Sequence, residues 1–209
     1  MNTPNKITLS RLLLIPVIIF FYLADFIPYT KLIAAAIFAI ASLTDFLDGY
    51  LARKNNQVTT LGKFFDSIAD KVLTMTGFVL IICPTSETMP AVYPNWLGIV
   101  CVIIILAREF IISALRQNAA AKGVVLAADM GGKIKATAQF LVLIFYMVFA
   151  FLMQENLIPS GSVAYNVIHY VLMVLLVATT VLTIYSGCSY LIRNRKVFKE
   201  EKTEKEEIK

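Results

Sequence analysis

Four aspartates, Asp45, Asp48, Asp66 and Asp70, lie in or beside stretches that are otherwise strongly apolar. One charge at the centre of a membrane helix costs at least about 2.5–3.5 kcal/mol. Four carboxylates in such a setting therefore require cations among them. Asp45 and Asp48 are spaced i, i+3, and Asp66 and Asp70 are spaced i, i+4. On helices each pair shares one face. A hairpin turning near residue 57 sets Asp48 level with Asp66, and Asp45 level with Asp70 one turn deeper. Hard oxygen ligands converging in this way suit Mg²⁺, Mn²⁺ or Ca²⁺. Four carboxylates carry enough charge for two divalent ions, a common arrangement in phosphoryl transfer.

The residues between the aspartates fit the same chemistry. Gly49 follows Asp48, Gly62 precedes Asp66 by one turn, and Ala52 is also small. Glycine within a helix is unfavourable by about 1 kcal/mol relative to alanine, and it is useful where a backbone must approach a ligand or another helix. Close helix packing alone also accounts for small residues in membranes. Arg53 lies one turn beyond Gly49, where its guanidinium can pair with a motif acid or a phosphate, or can snorkel to the interface.

The elements that must carry these residues are membrane helices. Of the 209 residues, 58% are hydrophobic and 16% charged, with a mean hydropathy of +0.75. Soluble domains are about 45–50% apolar and about 25% charged, so disorder and a water-soluble globule are both excluded as expectations. Six stretches reach the length of a span, at about 9–25, 29–54, 60–82, 95–121, 133–153 and 163–192. Pro28, the segment from Pro84 to Pro94 and the Pro159-Ser160-Gly161 triplet punctuate them. The expected fold is an all-α integral membrane bundle of six transmembrane helices. A short interfacial helix precedes it, beginning at Thr3-Pro4-Asn5. Residues 1–192 form a single membrane domain, and 193–209 form a charged cytoplasmic tail in which Lys and Glu largely offset one another.

Lys6, Arg11, Arg53, Lys54, Lys63, Lys122, Lys133, Lys135 and the tail fall on one side of this layout, against Lys31, Asp25, Glu87 and Glu155 on the other. The positive-inside rule then places both termini and the aspartate mouth in the cytoplasm. Cys83, Cys101 and Cys188 have neither disulfide nor zinc spacing and are expected to be small buried hydrophobes. The single histidine, His169, is expected to pack or make one hydrogen bond.

Taken together, Asp45-Phe-Leu-Asp48-Gly49-Tyr-Leu-Ala52-Arg53, Gly62, Asp66 and Asp70 resemble the signature of the CDP-alcohol phosphotransferases, D-x2-D-G-x2-A-R-x8-G-x3-D-x3-D, with every position and spacing matched. Outside the motif, Asn5-Lys-Ile-Thr8-Leu-Ser-Arg11, Arg108-Glu109-Phe, Leu115-Arg116, Gly123 and Gly132-Lys133-Ile-Lys135 resemble the branch that makes phosphatidylglycerophosphate. The resemblance implies transfer of a phosphatidyl group from CDP-diacylglycerol to glycerol 3-phosphate with release of CMP. It implies a pair of divalent ions, Mg²⁺ or Mn²⁺, held by Asp45, Asp48 and Asp66 with Asp70 in reach. Asp70 is the implied general base. Gly49, Ala52, Arg53 and Gly62 are implied to contact CDP-diacylglycerol. Arg108, Arg116, Lys133 and Lys135 are implied to bind the acceptor phosphate, although membrane topology alone predicts some of these basic residues. Thr8 and Arg11 are expected at the cavity rim. The implied partners are these two substrates, membrane lipids and a second copy of the chain as a homodimer, with no nucleic acid.

Two other classes explain less. A cation transporter accounts for intramembrane carboxylates but not for the glycines, alanine and arginine at fixed offsets from them. An intramembrane aspartyl protease needs two acids sharing a proton, and four acids at these spacings are too many. Within the family, inositol phosphate, serine or phosphatidylglycerol are the competing acceptors.

Overall fold

The structure, a computed structural model, describes the backbone of residues 3–24, 26–54, 60–83, 95–121, 123–124, 126 and 130–195. Side chains are described for 8–24, 26–44, 65, 67–83, 96–120, 123–124, 126 and 131–195. Six helices and no strand occur among these residues: α1 Thr3–Leu23, α2 Thr30–Lys54, α3 Thr60–Ile82, α4 Asn95–Ala121, α5 Met130–Gln154 and α6 Val163–Arg193. Five of the six begin and end within a few residues of the expected spans.

The first helix differs from expectation. α1 runs as one element from Thr3 to Leu23 rather than as a separate interfacial helix followed by a span. Pro4 sits in the first turn, where its missing N–H is not needed, and nothing from Asn5 to Ile15 interrupts the helix. Among the described residues, three helical segments are long and apolar enough to cross a membrane by themselves: Trp96–Ala120, Gly131–Gln154 and Val163–Arg193. The described parts of α1 and α2, Thr8–Leu23 and Thr30–Thr44, are apolar as well.

α1 packs along α2 and α3, α5 along α2 and α6, and α4 along α6. The shared core includes Ile18, Phe38, Leu73, Phe78, Ile105, Leu143, Met147 and Leu176, all almost fully buried. Large apolar side chains elsewhere, such as Ile103, Phe145, Val174 and Tyr185, point outward. In water such a surface would be a liability, whereas lipid accepts it. Cys188 and Cys83 share this exposure, and only Cys101 is buried. The expectation of three buried cysteines therefore fails for two, because an apolar neighbourhood in this bundle marks lipid as readily as core. His169 is buried and stacks on Tyr165 at 5.8 Å and 12°.

α2, α3 and α5 meet closely at Gly77. A Cβ there would lie 2.8 Å from Leu143 Cδ1 and 3.0 Å from Phe38 Cε2. Both neighbours are fully buried and have little room to yield. Gly77→Val is expected to destabilise the bundle by about 1–3 kcal/mol, read as a lower thermal midpoint of the detergent-solubilised protein.

At one end of the bundle the α1–α2 connection is fastened to the end of α5. Glu155 Oε1 accepts from the Tyr29 backbone N–H at 2.8 Å, and Gln154 Nε2 donates to Thr30 Oγ1 at 3.0 Å. At α6, Ser162 caps the first turn by accepting from the Tyr165 N–H at 3.1 Å. The alternating helix directions bring the end of α2, the start of α3, the second half of α4, the start of α5 and the end of α6 to the other end. Every motif residue belongs to that opposite end.

Candidate active site

α2 extends through Asp45, Asp48, Gly49, Ala52 and Arg53, and α3 through Gly62, Asp66 and Asp70. The helical positions needed for the i, i+3 and i, i+4 pairings are therefore present. The side chains of Asp45, Asp48, Asp66, Ala52 and Arg53, with the local packing of Gly49 and Gly62, lie outside the described residues. Among the described residues no three His, Cys, Asp or Glu side chains converge, as follows when only one of the four motif aspartates is among them.

Asp70 is that one. It is half-buried and borders three adjoining cavities, of about 20, 270 and 340 Å³. The 270 Å³ cavity is lined by Asp70 together with Arg108, Arg116, Lys133 and Lys135. The basic residues expected to bind the acceptor phosphate, drawn from α4 and α5, thus meet in one cavity and share it with the expected base. Its volume lies just below the range of about 300–1,000 Å³ typical of drug-sized ligands, so it suits a small molecule. Thr8 and Arg11 do not join it. Both are buried in α1, and they line none of the three cavities.

The charges in the cavity are organised around Glu109. Lys135, itself buried, donates through Nζ to Glu109 Oε1. Arg108 Nη1 approaches the same oxygen at 3.4 Å. One carboxylate thereby keeps two cations together that would otherwise repel. Arg108 Nη2 also donates to Ser186 Oγ of α6 at 3.0 Å, and Arg116 Nε donates to the Tyr190 hydroxyl at 3.2 Å.

Lys71, next to Asp70, was not among the residues singled out by spacing. It borders all three cavities, and its Nζ donates to the Ser67 carbonyl at 2.8 Å and the Ser67 hydroxyl at 2.7 Å. The rule that flags intramembrane aspartates applies equally to a lysine in the same helix. The 270 Å³ cavity then carries five basic side chains against two acidic ones. An excess of arginine and lysine donors in a partly enclosed site is what a phosphate dianion requires.

The sequence profile of CDP-alcohol phosphatidyltransferases matches residues 1–185. A Bacillus subtilis (strain 168) protein named CDP-diacylglycerol–glycerol-3-phosphate 3-phosphatidyltransferase is 42% identical over 151 residues, covering 67% of this chain and 73% of its own. The Rickettsia bellii protein of the same name is 36% identical over 200 residues, covering 94% of this chain and 97% of its own. The one from Salmonella typhimurium is 40% identical over 146 residues, covering 68% and 74%.

Proposed function

Because the chain belongs to the CDP-alcohol phosphatidyltransferase family, we propose that it transfers the phosphatidyl group of CDP-diacylglycerol to glycerol 3-phosphate, giving phosphatidylglycerophosphate and CMP. The observation that carries the choice of acceptor is the shared cavity. Asp70 faces the same space as Arg108, Arg116, Lys133 and Lys135. A phosphorylated alcohol bound there by its phosphate brings its hydroxyl toward the aspartate.

In this reading Asp70 takes the proton from the primary hydroxyl of glycerol 3-phosphate. That oxygen attacks the phosphorus bonded to diacylglycerol, and the bond to the CMP oxygen breaks. Arg108, Arg116, Lys133 and Lys135 hold the acceptor phosphate and fix the distance between hydroxyl and base. Gly49, Ala52, Arg53 and Gly62 receive CDP-diacylglycerol, Arg53 contacting its phosphates. Thr8 and Arg11 of α1 complete the rim of the site.

The donor set fits divalent ions. Asp45 and Asp48 on α2, and Asp66 and Asp70 on α3, supply carboxylate oxygens at helical spacing, the ligand chemistry of Mg²⁺ or Mn²⁺. When bound, such a pair offsets the negative charge of the pyrophosphate and of the departing CMP. We place all six helices across the cytoplasmic membrane. The site and both termini face the cytoplasm, where the basic residues concentrate, and residues 193–209 form a tail outside the catalytic domain. The working unit is a homodimer.

The test is an acceptor panel with purified enzyme, following CMP release from CDP-diacylglycerol. Glycerol 3-phosphate is expected to be used at least about tenfold better, in kcat/KM, than inositol phosphate, serine or phosphatidylglycerol, in keeping with discrimination by directed polar contacts. Chelation with EDTA should abolish turnover, and Mg²⁺ or Mn²⁺ should restore it. Release of CMP with inositol phosphate but not glycerol 3-phosphate would reassign the acceptor. Full activity in EDTA would remove the metal ions.

A further inference from the structure

The sixth helix supplies no charge to the 270 Å³ cavity and lines none of it, yet it holds two of the cavity's arginines. Ser186 Oγ accepts from Arg108 Nη2 at 3.0 Å. The Tyr190 hydroxyl accepts from Arg116 Nε at 3.2 Å, and the guanidinium carbon lies 5.1 Å from the Tyr190 ring centroid. Ser186 and Tyr190 are both buried and four residues apart, so they occupy one face of α6. Gly187, between them, lets the Arg108 stem lie against the helix. A Cβ at that position would meet Arg108 Cγ at 3.0 Å and Nε at 3.4 Å.

We propose that Ser186, Gly187 and Tyr190 are positioning residues that set the affinity for the acceptor's phosphate by presenting Arg108 and Arg116 in a fixed geometry. The inference rests on the acceptor-site reading above and deepens it. An unrestrained arginine must lose rotamer freedom when it engages an anion, and a guanidinium already held by a neutral hydroxyl has lost part of it beforehand. The restraint also spends donors that face α6 and, with Arg108 Nε buried against Gly187, leaves the other N–H groups of the terminal guanidinium nitrogens for the phosphate. Neither hydroxyl touches the reacting atoms, so the effect belongs to binding of the acceptor and not to the chemical step.

The variants are Ser186→Ala, Tyr190→Phe and Gly187→Ala, with Ser186→Thr as the conservative control. KM for glycerol 3-phosphate is expected to rise about three- to tenfold in the first two, the worth of one ordinary hydrogen bond, since each arginine keeps its charge and loses only a restraint. KM for CDP-diacylglycerol should stay within about twofold. Inorganic phosphate, competing with glycerol 3-phosphate, should show a parallel rise in its inhibition constant, and Ser186→Thr should restore both values. Gly187→Ala is the diagnostic variant. Alanine favours the helix, so stability should hold while acceptor KM rises as Arg108 is displaced. Equal rises in both substrates' KM, or unchanged acceptor KM with a lower thermal midpoint, would overturn the proposal and leave α6 a packing element. Absence of CMP release by wild type with glycerol 3-phosphate would sink the transferase reading instead. Calorimetric titration of inorganic phosphate would then still decide the α6 inference, which requires weaker phosphate binding in all three variants.

Discussion

Asp70→Asn is expected to lower kcat for CMP release by about a hundred- to ten-thousand-fold, the usual contribution of a general base, while the protein stays folded. The amide has nearly the shape of the carboxylate, and Asp70 sits at the confluence of three cavities rather than inside a packed core. What is lost is a negative charge and a proton acceptor beside the acceptor site. The neighbouring Lys71 cannot replace it, since an ammonium has no acceptor capacity and two of its protons are engaged by Ser67. Rates of CMP release by wild type and variant at saturating substrates, with thermal midpoints as the folding control, decide the matter. Turnover within about tenfold of wild type would take the base role from Asp70. A rise in KM for glycerol 3-phosphate without a fall in kcat would reassign it to binding.

Lys135→Ala is expected to raise KM for glycerol 3-phosphate by about 10- to 100-fold, with KM for CDP-diacylglycerol within about twofold. A hydrogen bond between charged groups is worth about 1.5–3 kcal/mol, and Lys135 is buried in the cavity wall with little water to compete. Truncation also strands Glu109, which loses the stronger of its two cationic partners and keeps Arg108 at 3.4 Å. Part of the damage should therefore be structural, and a second substitution separates the two parts. Adding Glu109→Gln to Lys135→Ala removes the stranded charge and should recover thermal stability without recovering acceptor KM. Measuring both KM values and the thermal midpoint in the single and double variants tests this. Equal changes in both KM values would argue against an acceptor site at Lys135.

The helices were legible because their determinants are local. Apolar runs of span length, broken by Pro28, Pro84 to Pro94 and Pro159-Ser160-Gly161, place five of six elements to within a few residues. α1 runs unbroken through the change from mixed to apolar sequence, because backbone continuity depends on hydrogen bonding and not on polarity. The cysteines differ from expectation for a related reason. Hydropathy does not distinguish a side chain facing lipid from one facing the core, so Cys83 and Cys188 proved exposed. Lys71 was legible in principle, as an ionisable residue within an apolar helix, and was overshadowed by the aspartate beside it.

The sequence by itself determined which groups are proposed to react. Asp45, Asp48, Asp66 and Asp70 owe their pairing to helical periodicity within α2 and α3, and the matched motif marks the chemistry they serve. It also supplied the basic residues, and the family resemblance named Arg108, Arg116, Lys133 and Lys135 among them for the acceptor phosphate. That these four line one cavity with Asp70 came only from the tertiary structure. Whether Arg108 and Arg116 on α4, and Lys133 and Lys135 on α5, face Asp70 depends on how each helix is rotated about its axis. Packing contacts at Phe38, Gly77 and Leu143 orient α2, α3 and α5 against one another, and contacts of Arg108 and Arg116 with α6 orient α4. The same packing makes Glu109 the anion shared by two cations and gives α6, through Ser186, Gly187 and Tyr190, its hold on two arginines that lie more than seventy residues away in the chain. No periodicity spans that separation, because the free energy that orients one helix against another resides in side-chain contacts between them.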